Sequence, residues 1–435
     1  MSGPRHDVGN VDHVAVIGGG IVGLCVAHYL RAAGVDVVVL ERDRVGSGAS
    51  RGNAGEICPG LATPLAAPGV VGEALRGLRH RGSPLQLRPQ ANPAVARFLL
   101  GFAWSARQAP FSRGVRALAQ LGADAVSLYR ELDAGGVEMH RNDRPYLYVY
   151  GSRDAAAAGR QSLQRALGEP SDLFGPVLDA DELRRREPCL AGDVAGYEVN
   201  GQMTVNPSVL VDSLAAHLRA AGVEIREGAR ATAITSRPYG AIVHTSAGAV
   251  PADAVVLASG IWSAPLAATV GTRLPIFPGK GYSFNVPIEH RPEHLLAIEA
   301  AHVHMAPLGE TTRITGMIDF DAQHDRFDRR QIETIVSAAR PFIDGADWPA
   351  ISAEWVGPRP MTPNGLPLIG ALAGAPRVFI AAGHNMLGVT LAPSTGRAVA
   401  ELITSGRSSV DLEPFRPTSW RPPRRPTAAA RAPAR

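Results

Sequence analysis

Gly18-x-Gly20-x-x-Gly23 and, farther on, Glu41 are the residues whose types and spacing announce a chemistry. The three glycines let a chain turn sharply after a strand, let backbone approach a pyrophosphate, and let the next helix pack closely on the sheet. Ile21 and Val22 open that helix, whose unpaired N–H groups and partial positive charge face the phosphates. Glu41 can accept bonds from ribose hydroxyls and would repel a 2′-phosphate. Together they predict a site for an ADP-containing dinucleotide.

The elements needed to position these residues are legible around them. Residues 13 to 41, HVAVIGGGIVGLCVAHYLRAAGVDVVVLE, read as strand, glycine turn, helix, strand and terminal acid in uninterrupted order. The following ERDRVGSGASRGNAGEICPG is rich in small turn residues, as a ligand-lining loop must be. Residues 70 to 135 carry helical stretches, and RPYLYVYG at 144 to 151 alternates as a strand. Pro207 starts another helix, and PADAVVLA runs into the small-residue turn Ser259-Gly260-Ile261-Trp262-Ser263. Such a turn at a strand's carboxyl end is the usual ligand edge of an α/β sheet. Segment 275 to 354 is mostly β-like, with a helix near Gln331 to Phe342. Val378 to Ala382 is a buried-strand pattern, followed by Gly383-His384-Asn385-Met386-Leu387-Gly388 and a helix over Thr395 to Ile403. In HVHMAP the alternation puts His302 and His304 on one face of a strand, but no third ligand accompanies them and no metal site is expected.

Composition bounds the setting. A chain of 435 residues exceeds what usually packs as one domain. Cys25, Cys58 and Cys189 lie far apart without metal or disulfide spacing, which suits a reducing compartment. The start MSGPRHDVGNVDH lacks the regions of a signal peptide, and the longest apolar run is accounted for by the strand and helix at 14 to 30. A cytoplasmic protein is expected, with at most peripheral contact with the inner face of a membrane. The formal charge of +4 comes from the end, where six arginines and no acid follow Glu413; the rest is slightly negative. That Pro/Arg/Ala-rich tail, 413–435, should be disordered, either a solvated extension or a contact for anionic lipid or another acidic partner. Nucleic-acid binding finds no other support.

Beyond the first motif, the loop GNAGEICPGLATPLAAPG, the turn VVLASGIWS, the pair KGYS, the segment WVGPRPMTPNGLPLIG and the closing FIAAGHNMLGVTLAPSTGRAVAEL resemble the D-amino acid oxidase superfamily of flavoproteins. The likeness spans the chain up to its tail and is strongest to the bacterial D-amino acid dehydrogenases. It implies an α/β fold: a Rossmann-type FAD-binding domain of discontinuous segments, 11–90, 199–274 and 355–412. A substrate domain with a mixed or antiparallel sheet would be formed by 91–198 and 275–354. It further implies oxidative deamination of a D-amino acid to a 2-oxo acid and ammonia by hydride transfer from Cα to flavin N5. Electrons would go to a quinone or another carrier, with dioxygen as the alternative acceptor. D-hydroxyproline dehydrogenase, glycine, sarcosine or D-amino acid oxidase, and a non-catalytic flavoprotein subunit are the competing readings.

Carried over by position, the resemblance gives Gly18, Gly20, Ile21, Val22 and Gly23 to the pyrophosphate, and Glu41 with Arg42 to the adenosine end. Ser50, Asn53, Ala54, Gly55 and Glu56 fall to the ribityl chain or ring system, Ala231 to the adenine, and Gly383, Gly388, Val389 and Thr390 to the ribityl and pyrimidine side. Gly260 and His384 are also placed beside the cofactor. Met361-Thr362-Pro363 offers no thiol where sarcosine-oxidase relatives attach flavin, so the FAD should be non-covalent. Arg359 matches the family's carboxylate-binding arginine, a role suited to a planar, permanently charged fork; residue type alone would make it a surface or salt-bridge residue. Tyr282 is either a pocket-closing hydroxyl or a core tyrosine. His304 is either structural or on the substrate side. Asn385, in place of the glycine of GHG-type relatives, is expected to narrow the space above the ring.

Overall fold

The computed structural model describes residues 11–70, 72, 85–87, 93–168, 172–320 and 326–417. Its first layer is a six-stranded sheet in the order Leu368–Leu372, Ala375–Ala382, Ala254–Leu257, His13–Ile17, Asp36–Leu40, Glu224–Arg226. All neighbours run parallel except the first pair. A parallel sheet must be covered on both faces, which is why these strands are near-continuous runs of Val, Ile, Leu and Ala. On one face pack the helices Ile21–Ala32, Pro207–Ala220 and Gly388–Ser405, which share a core through Leu24, Leu214 and Val399. On the other lies the antiparallel sheet of Ala231–Arg237, Gly240–Thr245 and Gly248–Ala252, with Ile234 and Val243 buried against Ala15 and Leu257.

The second layer is a nine-stranded mixed sheet. Ser352–Met361, Phe277–Val286, Thr311–Phe320 and Val303–Leu308 run antiparallel in that order. Leu296–Ile298, Tyr146–Tyr150, Ala195–Val199 and Phe174–Leu178 continue it, while Leu85–Leu87 pairs beside Thr311–Phe320. The helix Arg329–Ala339 covers the outer face through Ile332 and Ile335, which meet Phe284 and Val286.

The chain changes layer at places other than the expected boundaries. Leu85–Leu87 belongs to the nine-stranded sheet although it precedes residue 90. The strand holding Arg359 stays in that sheet to Met361, past residue 355, because its register is fixed residue by residue against Phe277–Val286. Helices Gln108–Gly122 and Ala125–Ala134, expected with the substrate domain, bury Leu118, Leu121, Tyr129 and Leu132 in the core of the nucleotide layer. The tail expected to be disordered from 413 begins with a 3-10 turn, Glu413–Phe415, and Phe415 is 1% exposed in that same core; residues 418–435 lie outside the described residues. The helix read over Thr395 to Ile403 is longer, Gly388–Ser405. Among the described residues no helix is long and apolar enough to cross a membrane.

Candidate active site

Between the two layers lies a cavity of about 1620 Å³, larger than the roughly 300–1,000 Å³ that hold one drug-sized ligand. The parallel sheet delivers the carboxyl ends of four strands to it, at Ile17, Leu40, Ala258 and Ala382. Gly18 follows the first with φ +111°, and a β-carbon there would lie 2.7 Å from the Ala258 carbonyl oxygen. Gly23 is packed still closer, 2.0 Å from the Gly18 carbonyl oxygen by the same construction, so helix and strand touch backbone to backbone.

Two helix N-termini open into this one cavity. Gly20 precedes Ile21–Ala32, and Leu387 precedes Gly388–Ser405; neither residue covers its helix end with a side-chain cap. Ser50 Oγ accepts from Ile21 N at 3.1 Å and Glu41 Oε2 from Gly19 N at 2.7 Å, drawing the loop and the acid to the glycine turn. Arg42 lies over the Trp262 ring, 4.1 Å from its centroid, at the same end as Ala231 and Gly260. A large cavity into which two positive helix ends open fits a dinucleotide carrying phosphates.

The nine-stranded sheet closes the other side. In Ser352–Met361 the residues Trp355, Gly357 and Arg359 share the face toward the cavity, opposite Ser283, Gly281 and Gly279. The Trp355 ring lies where a β-carbon of Gly357 or Gly52 would be, at 1.7 and 2.0 Å. The Arg359 guanidinium lies across Gly281 in the same way, 2.2 Å from its β-carbon position. It donates to the Met317 carbonyl at 2.8 Å, and among the described residues no carboxylate pairs with it. Burial opposes its charge and pulls its pKa down to about 10, with Glu56 acting the other way, so it remains a guanidinium at neutral pH.

His304 and Glu56 face each other across the cavity wall, Nδ1–H donating to Oε1 at 2.7 Å. Burial would lower the imidazole pKa, but the Glu56 charge and hydrogen bond, helped by Glu299, outweigh it and hold it up to about 9. Glu56 is also tied to the second helix end, since Thr390 Oγ1 donates to its carbonyl at 2.9 Å. His384 is different: buried, with Nε2 3.0 Å from Thr395 Oγ1, it is pulled down to about 4 and is neutral. Burial and the Glu56 charge push the Cys58 thiol up to about 12, so it is no thiolate nucleophile.

The expected residues gather with few exceptions. Gly18, Gly20, Ile21, Val22, Glu41, Arg42, Ser50, Asn53, Ala54, Glu56, Ala231, Gly260, His304, Arg359, His384, Gly388, Val389 and Thr390 all line the cavity. Gly23, Gly55 and Gly383 stand behind the wall and permit close backbone packing. Tyr282 is corrected: it is fully buried in the core formed with Phe284 and Val286, because the strand's two-residue period turns it away from the face of Gly281 and Ser283. His302 lines the cavity but precedes the strand Val303–Leu308, in a turn with φ +52°. Asn385 takes φ +55°, a conformation in which glycine is unstrained and Asn is tolerated. Its amide is turned back to Thr362 N and the Gly383 carbonyl, both at 2.9 Å.

Gly281, Gly357, Trp355, Glu299 and Tyr148 were not singled out by sequence. A signal existed in the small residues at alternate positions of KGYS and WVGPR, which leave a floor for larger neighbours. Arg313 was also missed. It is buried, donates to the carbonyls of Arg51 and Asn53 at 2.6 and 3.1 Å, and pins the loop beside the cavity.

Comparison with known proteins places this geometry in a family. The family described as FAD dependent oxidoreductase matches residues 13–402. The D-amino acid dehydrogenase of Cereibacter sphaeroides is 33% identical over 405 residues, covering 90% of this chain and 91% of its own. D-amino acid dehydrogenase 2 of Pseudomonas aeruginosa is 34% identical over 413 residues, covering 92% and 96%. The crystal structure of glycine oxidase from Geobacillus kaustophilus superposes with a TM-score of 0.72 at 24% identity, covering 95% of this chain and 99% of that one, which speaks for the fold alone.

Proposed function

The chain belongs to the FAD-dependent oxidoreductases, and from that premise we propose that it oxidises D-amino acids to 2-oxo acids and ammonia, as the names of its sequence relatives suggest. Bound FAD supplies the hydride acceptor. The electrons then pass to a quinone or another carrier, with dioxygen as the alternative acceptor.

The observation that carries the reading is Arg359: a charged guanidinium on the cavity wall, given room by Gly281 and held by one carbonyl, with donors to spare for a carboxylate. In this reading Arg359 clamps the substrate carboxylate and so aims Cα–H at the cofactor. His304, protonated, neutralises Glu56 so that an anion can approach without opposition. The glycine turn with Ile21 and Val22 holds the pyrophosphate, Glu41 and Arg42 the adenosine end, and Ala231 and Gly260 the adenine side. Ser50, Asn53, Ala54 and Glu56 hold the ribityl and ring side. Gly388, Val389 and Thr390 donate from a helix end to the pyrimidine, where negative charge is stabilised. His384 remains a neutral neighbour.

Anaerobic bleaching of the yellow holoenzyme across D- and L-amino acids, glycine, sarcosine and both hydroxyproline epimers tests this. Bleaching by D-acids with slow recovery in air is expected. Arg359→Ala should keep its FAD and lose about 1.5–3 kcal/mol of substrate binding, a rise in KM of tenfold or more; undiminished bleaching in that variant would remove the proposed clamp. Bleaching only by glycine, sarcosine or a hydroxyproline would replace the D-amino acid reading by one of those activities.

A further inference from the structure

The helix Pro93–Ser105, PAVARFLLGFAWS, carries a single charged side chain, Arg97. One face is core: Val95, Phe98 and Phe102 are buried against Phe277, Phe320 and Met361. The opposite face is apolar as well. Leu100 is 74% and Trp104 47% exposed, and Ala96 and Ala103 beside them are exposed too. At spacings of three and four these residues form one stripe along the helix. A helix this apolar, with Arg97 its one charge, belongs largely in a protein core or against lipid, yet half of it faces water.

The charge around it identifies the occupant. From Pro93 to Ala123 the sequence contains four arginines and no Asp or Glu. Arg97, Arg107, Arg113 and Arg116 are exposed, and the Arg107 guanidinium stacks over the Trp104 ring, 3.5 Å from its centroid. An apolar stripe with an interfacial tryptophan, flanked by exposed arginines able to reach phosphates, matches an anionic bilayer surface, whereas these arginines would repel their counterparts on a second copy.

We propose that this helix docks the protein on anionic membrane surfaces, with Leu100 and Trp104 entering the headgroup boundary and the flanking arginines holding lipid phosphates. Docking there sets the cavity near the lipid, because Leu65, Val70 and Ile318 line the cavity and pack in the same cluster as Phe98. The surface is independent of which amino acid is oxidised.

Co-sedimentation of the full-length holoenzyme with phosphatidylcholine vesicles, with and without one quarter phosphatidylglycerol, tests this. Binding to the anionic vesicles is expected to be at least tenfold stronger and to weaken with salt. Leu100→Glu/Trp104→Glu should lose at least tenfold, and so should Arg97→Glu/Arg107→Glu, while both keep FAD and turnover with a soluble acceptor. Arg421→Gln/Arg424→Gln/Arg425→Gln, in the basic tail, should change little. Loss only in the tail variant, equal binding of all variants, no binding, or a concentration-dependent dimer abolished by the Leu100/Trp104 change would each overturn the proposal.

Discussion

His304 and His384 line one cavity and respond to pH in opposite senses. The folded pKa of His304, about 9, lies above the ordinary value of 6.5. The stabilisation from its pairing with Glu56 is therefore complete below about 6.5 and is lost as pH rises through about 9. His384, pulled down to about 4, contributes fully above 6.5 and loses its contribution as pH falls toward 4. Thermal midpoints should decline on both sides of neutrality. His304→Gln should flatten the alkaline limb alone, and an unchanged alkaline limb in that variant would deny the pair its role. Gly281→Ala is the sharper steric test, since its new β-carbon would fall on the Arg359 guanidinium. A misplacement of about 1 Å costs about 10²-fold in kcat/KM, with FAD retained; a variant with ordinary kinetics would show that Arg359 does not work from this position. Arg359 was legible because a family motif marks it. Tyr282 stayed between two readings in the sequence because one residue of phase decides which face of a strand a side chain takes, and KGYS alone does not state the phase.

The helix Gly388–Ser405 contains Pro393 in its interior. Proline has no N–H to give the carbonyl four residues back, which is that of Val389, and an unpaired buried carbonyl is costly. Tyr129 supplies the missing donor from another helix, its hydroxyl bonding Val389 O at 2.6 Å. The first turn of the helix, which opens into the cavity, thus depends on a side chain 260 positions away. Tyr129→Phe should lose about 1–3 kcal/mol in urea unfolding and bind FAD more weakly; stability equal to the parent would mean that the carbonyl finds another partner. Sequence pattern located this helix but began it too late, because Gly388 and Pro393 are read as breakers when the tertiary partner is invisible. Helices Gln108–Gly122 and Ala125–Ala134 were likewise found as elements but assigned to the wrong layer, since amphipathicity states that a face is buried and not against what.

At the scale of the whole molecule, the cavity is walled by both sheets, and residues from the glycine turn at 18 to Thr390 contribute to it. A ligand spanning it ties the layers together. FAD at a thousandfold excess over its Kd should add about 4 kcal/mol, so the holoprotein should melt higher and resist proteolysis in both sheets, whereas the apoprotein should be cut first between them. Equal melting of the two forms would contradict a shared site. The broad division into a nucleotide layer and a second sheet was legible because the fingerprint and the later strands each carry their own pattern. The crossing points were not, because pairing such as Gly279 with Arg359 is a relation between distant segments. This sheet order also has a temporal side. His13–Ile17 lies between Asp36–Leu40, made almost at once, and Ala254–Leu257, whose own outer neighbour is Ala375–Ala382. At about 5–20 residues per second, the ribosome needs roughly 12–50 s to deliver the missing neighbour and longer for the next. During synthesis this buried, apolar strand therefore waits half-paired, a window in which chaperones would compete with aggregation.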